Sequence, residues 1–249
     1  MTLIQTLPFI FLISVLFCGL MSQSEDAVNE STLLVKKTDD FTITGDGSAE
    51  NWNKTEWVEL TQRSNHENTS GLETKTKLLY SDTGLYVLFQ NQDKILNATY
   101  DAHFEELWRE DVVEVFLWTD QSRPVYFEYE ISPLNFELPL IVSNIEGELL
   151  HWIPFDNSYH SESGRKTRHK TSIIGGEKIS GAEIDGWVAE IFIPFKLLHP
   201  LKNIYPEPGT KWRANLYRID YDEGMTPWSW QPYETNFHDY NNFGTLLFE

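Results

Sequence analysis

Cysteine is almost absent: Cys18 is the single one in 249 residues. No intramolecular disulfide can form, and the chain downstream of Cys18 has no thiolate for nucleophilic or redox chemistry. Basic residues are scarce as well, with 19 Lys and Arg against 38 Asp and Glu and a net charge of −19. A surface this acidic repels nucleic acid, anionic lipid and acidic polysaccharide, so no nucleic-acid partner is expected. Past residue 20 no apolar run is long enough to cross a bilayer. Helical periodicity is nearly missing; only "PFKLLHPL" suggests a single turn. The catalytic signatures G-x-S-x-G, the phosphate loop, the dinucleotide fingerprint and H-E-x-x-H do not occur.

The long apolar run that is present, "LPFIFLISVLFCGL" from Leu7 to Leu20, has signal-peptide length and is short for a membrane span. Residues 1–24 read as an export signal, with two alternative endings. Small residues at Ser22 to Ser24 suit ordinary cleavage, whereas "VLFCG" offers Cys18 as the lipid-modified N-terminus of a bacterial-type lipoprotein. Residues 25–32 are polar and acidic, a flexible leader, and residues 33–249 form one folded domain. The expected location is exported: secreted, periplasmic, or tethered to the outer surface, with membrane contact only through a lipid anchor. The sequons at Asn29, Asn53, Asn68 and Asn97 read as chance matches in an Asn- and Thr-rich chain.

What fills the domain is β-pattern. "TKTKLLYSDTGLYVLFQN" alternates around a Ser81-Asp82-Thr83-Gly84 turn and reads as a hairpin. "DVVEVFLW", "VYFEYEIS", "GWVAEIFIPF", "KWRANLYRIDY" and "FGTLLFE" alternate likewise. In "DVVEVFLW", Val112, Glu114, Phe116 and Trp118 share one face, and Val113, Val115 and Leu117 the other. The polar stretch from Asn157 to Glu183, which contains "RKTRHK", reads as an excursion or a twisted hairpin rather than core. Many short strands at regular spacing predict an all-β fold, a single antiparallel β-sandwich of jelly-roll or immunoglobulin-like type with little helix.

Nine Trp, eleven Tyr and fifteen Phe exceed what a core of this size needs. Flat rings suit ligands with apolar faces, of which neutral sugars are one. Two other chemistries compete. Glycoside hydrolysis needs two facing carboxyl groups, and Glu114, Glu128 and Glu190 all lie in alternating strands. Haem binding or electron transfer needs axial ligands, and Met225 is the one methionine beyond the N-terminal segment. His151, His160 and His169 follow no metal-ligand spacing and read as surface residues.

Seven segments, in order, resemble carbohydrate-binding module family 9 over Phe41 to Glu249. They are "TGDGSAENWNKTEW", "DTGLYVLFQNQD", "LWREDVVEVFLW", "VYFEYEISP", "DGWVAEIFIPF", "WRANLYRID" and the closing "WSWQP…NNFGTLLF". The resemblance implies non-catalytic capture of a neutral oligosaccharide or polysaccharide between two tryptophans, in support of plant or algal glycan catabolism. Any glycoside hydrolase it serves would be a separate chain. On the matching positions Trp108 is one wall and Glu114 the carboxylate that reads hydroxyls. The second wall falls on Trp230 or Trp228, with Trp230 preferred. Asn215 and Arg218 border the site, one of them reaching it, and Asp111 is structural. The family's strand arginine is replaced here by Glu128. No cofactor is required. Structural calcium occurs in the family, and the oxygen-rich "TGDGSAENWNKTE" would offer it Asp46 and Glu50.

Overall fold

The structure is a computed structural model in which residues 31–63, 71–146, 148–156 and 164–249 are described. The export signal with Cys18, most of the leader, Asn29, Asn68 and His160 lie outside these residues. Thirteen strands make up the described part: β1 (Thr32–Lys37), β2 (Val58–Gln62), β3 (Thr74–Tyr80), β4 (Gly84–Gln92), β5 (Val112–Trp118), β6 (Val125–Ile131), β7 (Glu137–Ile145), β8 (Glu148–Pro154), β9 (Arg168–Ile174), β10 (Gly186–Pro194), β11 (Lys211–Asp220), β12 (Thr226–Ser229) and β13 (Gly244–Phe248). Short 3-10 turns occur among these residues, one of them Phe195–Leu198 in "PFKLLHPL".

The strands form the expected all-β sandwich. One sheet runs β8-β7-β6-β5-β11 and ends on β12 and β13; the other runs β9-β10-β4-β3 and ends on β2 and β1. The two are joined at one end, where β12 pairs with β2 and β1 pairs with both β13 and β3. Pairing is antiparallel except for β1, which runs parallel to both neighbours. Thr32, assigned to the leader from sequence, already pairs with Thr245 in β1.

Alternation decides which side chain faces which layer. Val113, Val115 and Leu117 of β5, Phe127 and Tyr129 of β6, and Trp212, Ala214 and Leu216 of β11 meet β4 and β10 in the core between the sheets. Each large apolar side chain buried there contributes ~1.5–3 kcal/mol. Their neighbours Val112, Phe116, Tyr126, Tyr217 and Ile219 point the other way and build a second cluster on the outer face of the first sheet. A strand in that sheet is therefore apolar on both sides, as "DVVEVFLW" reads. The β3–β4 hairpin closes on Ser81 N–H donating to the Gly84 carbonyl at 2.9 Å. Gly84 is needed there, because a Cβ would sit 2.5 Å from the Ile193 carbonyl oxygen.

Two elements differ from the sequence reading. The polar stretch read as an excursion or a twisted hairpin supplies β9, which pairs antiparallel with β10 over its whole length, from Arg168↔Phe192 to Ile174↔Gly186. Its polarity is that of an edge strand, where side chains and one row of backbone groups face solvent. The β7–β8 hairpin also went unread, because "FELPLIVSN" contains a proline and "ELLHWIP" lacks clean alternation. Pro139 is tolerated opposite Tyr129, within the register of a regular ladder.

Candidate functional site

The outer aromatic cluster surrounds a cavity of about 640 Å³, a size that suits a small ligand. Its floor is the outward face of the sheet: Glu114 and Phe116 from β5, Glu128 from β6, Leu140 from β7 and Ile219 from β11. Trp108 and Trp152 stand over one side, edge to face, with ring centroids 5.7 Å apart and planes at 75°. Tyr233, Phe237 and His238, from the segment between β12 and β13, form the opposite wall, and Met225 lies at the rim, largely exposed.

Local bonds hold these walls in place. Trp108 lies in the 3-10 turn Leu107–Arg109, and its carbonyl accepts the Tyr221 hydroxyl at 2.9 Å. Just downstream, the buried Asp111 accepts the backbone N–H of Asn97 at 2.6 Å and of Tyr221 at 2.9 Å, which fastens the Trp108 loop to the end of β11. Burial, with Asp93 nearby, pushes the Asp111 carboxyl up to about 8. Asp111 is thus structural, as its sequence position suggested. On the far wall, Phe237 stacks on Tyr217 at 4.1 Å, and its carbonyl accepts the Tyr217 hydroxyl at 2.8 Å.

Electrostatically the floor is unusual. Glu114 lies directly opposite Glu130 in the β5–β6 ladder, and Glu128 is opposite Phe116, so three carboxyl groups share one face. All three are buried. Burial first, and then mutual repulsion, raises Glu114 and Glu130 well above the usual carboxylate range; burial raises Glu128 to about 8. The adjacent imidazole offers little countercharge. His238 Nδ1 lies 3.9 Å from Glu128 Oε2, but desolvation lowers its pKa to about 4, and Nδ1 accepts the Tyr126 hydroxyl at 2.6 Å. Glu128 Oε2 has no hydrogen-bond partner, while Glu130 shares a side-chain hydrogen bond with Glu128 and receives the Trp108 backbone N–H. Burial thus favours the protonated forms of Glu114 and Glu128 at the cavity floor, where a carboxyl group offers an O–H donor and an oxygen acceptor.

Other expected site residues lie elsewhere. Trp228 and Trp230 are buried in the core between the sheets and do not line the cavity. Trp228 lies against the Arg218 guanidinium at 4.8 Å. Gly244 fits against the Trp230 ring, where a Cβ would come within 2.5 Å of the indole. The second tryptophan at the cavity is Trp152, on a strand not recognised in sequence. Arg218 is also fully buried on the core side: it pairs with Asp93 at 3.1 Å and Asp220 at 2.5 Å and donates to the Gln92 carbonyl at 2.6 Å. It sits inside the Asp93–Asp220–Asp222 cluster, which is thereby a structural ion-pair network. Asn215, on the cavity-side face, is covered. It donates to the Tyr217 hydroxyl at 2.8 Å and the Gln231 carbonyl at 3.0 Å and accepts the Gln231 N–H at 2.9 Å. It holds the far wall without touching the cavity.

Glu190, considered with Glu114 and Glu128 for hydrolysis, is on the other sheet. Its carboxylate accepts the Thr44 and Gly45 backbone N–H groups at 2.8 and 2.6 Å and Trp52 Nε1–H at 2.8 Å. The "TGDGSAENW" loop is thus organised around Glu190. Asp46 and Glu50 are exposed, and Asp46 Oδ1 accepts the Thr44 hydroxyl at 2.6 Å and the Ser48 N–H at 3.0 Å.

A two-sheet β-sandwich with an aromatic-walled, carboxyl-floored cavity on one sheet defines the class of fold. Residues 43–140 match the family model described as carbohydrate family 9 binding domain-like, a span from the start of the Glu190-bound loop into β7 that includes Trp108, Glu114 and Glu128. The chain is similar over 88% of its length, at 18% identity, to three solved structures: a Bacteroides uniformis protein provisionally described as carbohydrate-binding (TM-score 0.68, 99% of that chain) and a family 9 carbohydrate binding module from Caldicellulosiruptor kristjanssonii in complex with glucose (0.60, 95%) and with cellotriose (0.59, 93%). It is also 26% identical over 189 residues to a protein of Arthroderma benhamiae named only as extracellular, covering 71% of this chain and 78% of that one. The resemblance to family 9 read from the sequence therefore holds, in sequence over residues 43–140 and in fold over most of the chain.

Proposed function

We propose that this chain is an exported, non-catalytic carbohydrate-binding module whose sugar occupies the cavity between Trp108 and the Tyr233–Phe237 wall. The observation that carries this reading is the floor: the buried carboxyl groups of Glu114 and Glu128 face a cavity lined by aromatic rings, and Glu128 Oε2 has no partner. Leaving a buried polar group unsatisfied costs ~1–3 kcal/mol, and a ligand rich in hydroxyls recovers that cost. A pyranose presents C–H groups to the Trp108 and Trp152 faces while its hydroxyls donate to ionised carboxylates and accept from protonated ones. Glu128 in place of the family's arginine alters which hydroxyls are read, and the chain's net charge of −19 disfavours uronic acids. The glucose and cellotriose bound by the similar Caldicellulosiruptor module make β-gluco-oligosaccharides the first ligands to test.

Calorimetric titration with cello- and xylo-oligosaccharides, and with their borohydride-reduced forms, tests the proposal. Binding that falls by about tenfold or more in Trp108→Ala and Trp152→Ala supports it, at ~1.5 kcal/mol per lost stacking wall. Loss on reduction of the sugar assigns reducing-end capture. A folded protein that binds none of these glycans refutes it. Turnover of aryl glycosides abolished by Glu114→Gln would replace the proposal with glycoside hydrolysis, since Glu114 and Glu128 share the cavity. Export and the Cys18 anchor belong to the same reading, and fractionation of a Cys18→Ser variant tests the anchor.

A further inference from the structure

We propose that His103, Glu137 and His169 form a binding site for a divalent transition-metal ion, Zn²⁺ by its donor set, at the edge where the two sheets meet. The three residues are far apart in sequence: His103 is in the loop leading to Trp108, Glu137 opens β7 and His169 is the second residue of β9. The fold brings one candidate ligand atom from each within 4.8 Å of the others. Two imidazoles and a carboxylate are a nitrogen–oxygen set suited to Zn²⁺, and three protein ligands leave a position open for water.

The polar groups around these residues are arranged as a second coordination shell would be. Glu137 is buried, and its Oε2 accepts the Tyr129 hydroxyl at 2.7 Å and the Thr167 hydroxyl. That orientation sends Oε1 toward His169 Nε2, 3.1 Å away. On the other side of the ring, His169 Nδ1 lies 3.0 Å from Asn135 Oδ1, a contact that holds the ring with Nε2 toward the carboxylate. A metal at ~2.0–2.2 Å from each ligand in tetrahedral geometry spaces ligand atoms ~3.3 Å apart, close to the distance found. Asn135 holds its position from a left-handed backbone, φ 76°, a conformation asparagine tolerates better than most residues. His103, exposed, packs with its ring centroid 5.7 Å from that of His169. Its Nδ1 accepts the Glu137 N–H at 3.2 Å; giving up this long bond turns a ring lone pair to the ion. An ion here would join β9 of one sheet to β7 of the other and stiffen the loop that ends in Trp108.

The untagged protein, stripped with chelator and dialysed, is titrated with ZnCl₂ by calorimetry. The expected result is one equivalent bound at micromolar affinity or tighter, with a raised melting temperature. His169→Ala and His103→Ala each abolish that binding, Asn135→Ala weakens it ~10–100-fold, and His151→Ala, at an exposed position on β8, leaves it unchanged. Co²⁺ in place of Zn²⁺ gives visible d–d absorption that His169→Ala removes. Circular dichroism of each variant separates loss of ligand from loss of fold, and the exposed His103 decides the matter if His169→Ala misfolds. Absence of a stoichiometric site, or zinc binding in both histidine variants equal to that of the wild type, overturns the proposal.

Discussion

Replacing Glu128 by glutamine should make the protein more stable at alkaline pH and leave it nearly unchanged at pH 4.5. The reason is proton linkage. Unfolded, Glu128 titrates near 4.5; folded, its pKa is about 8 because burial penalises the charge. Below pH 4.5 both states are protonated and the group has no effect on stability. Between 4.5 and 8 the folded state holds a proton that the unfolded state has released, so stability falls as pH rises, at up to ~1.4 kcal/mol per pH unit. Across that interval the ceiling is ~5 kcal/mol. Glu114 and Glu130 share the same face, so the measured loss is distributed among the three. In a chain this size 1 kcal/mol moves the melting temperature by ~2–4 °C, so a difference between Glu128→Gln and wild type on the order of 10 °C at pH 8.5 is expected, vanishing at pH 4.5. Asp111, at about 8, and Asp93, at about 7, push the wild type in the same direction, as does self-repulsion at a net charge of −19. Comparing variant with wild type at each pH cancels those contributions. Calorimetric melts from pH 4.5 to 8.5 supply the data. Two curves separated by a constant offset would refute the argument, because they would show that Glu128 ionises equally in both states.

Trp230→Ala should cost ~3–5 kcal/mol of stability, as for a large aromatic removed from a core, while the folded fraction keeps its affinity for glycan; urea melts combined with titration of the folded protein separate this from a binding role. Arg218→Met leaves Asp93 and Asp220 buried without their cation and should cost ~3–5 kcal/mol, measured by chemical denaturation at pH 8, where both acids are ionised in the unfolded chain. Glu190→Gln disturbs the carboxylate that three N–H donors share and should open the Thr44–Trp52 loop, seen as faster amide exchange at Gly45 with Trp108 unaffected. If calcium occupies the Asp46–Glu50 loop, EDTA lowers the melting temperature and Ca²⁺ restores it, whereas a melt indifferent to both removes calcium from that loop.

The strands with strict alternation were legible as they stood. "TKTKLLYSDTGLYVLFQN" and "DVVEVFLW" carry both their pairing geometry and their burial in the order of residues, since successive side chains must point to opposite faces. That Trp108 and Glu114 line the cavity was legible only through the resemblance to family 9. The edge elements were not. β9 looks polar because half of it faces water, and β8, which carries Trp152, has no periodicity that separates it from a loop. Glu130 sits two residues past Glu128 and so on the same face, but nothing local says that both acids lie under a roof of aromatic rings. The "WSWQP" tryptophans illustrate the converse: each could have faced a ligand, and the pairing of β12 with β11 and β2 turned both into the core.

The amino-acid sequence by itself determined an acidic, disulfide-free β-protein, the two faces of its central strands and the resemblance to family 9, because all of these follow from composition and from contacts along one strand. Tertiary structure alone decided which aromatics became cavity walls, that three glutamates meet on one buried sheet face, and that His103, Glu137 and His169 meet. Those are relations between strands distant in the chain, set by sheet order and register, and no local pattern encodes them.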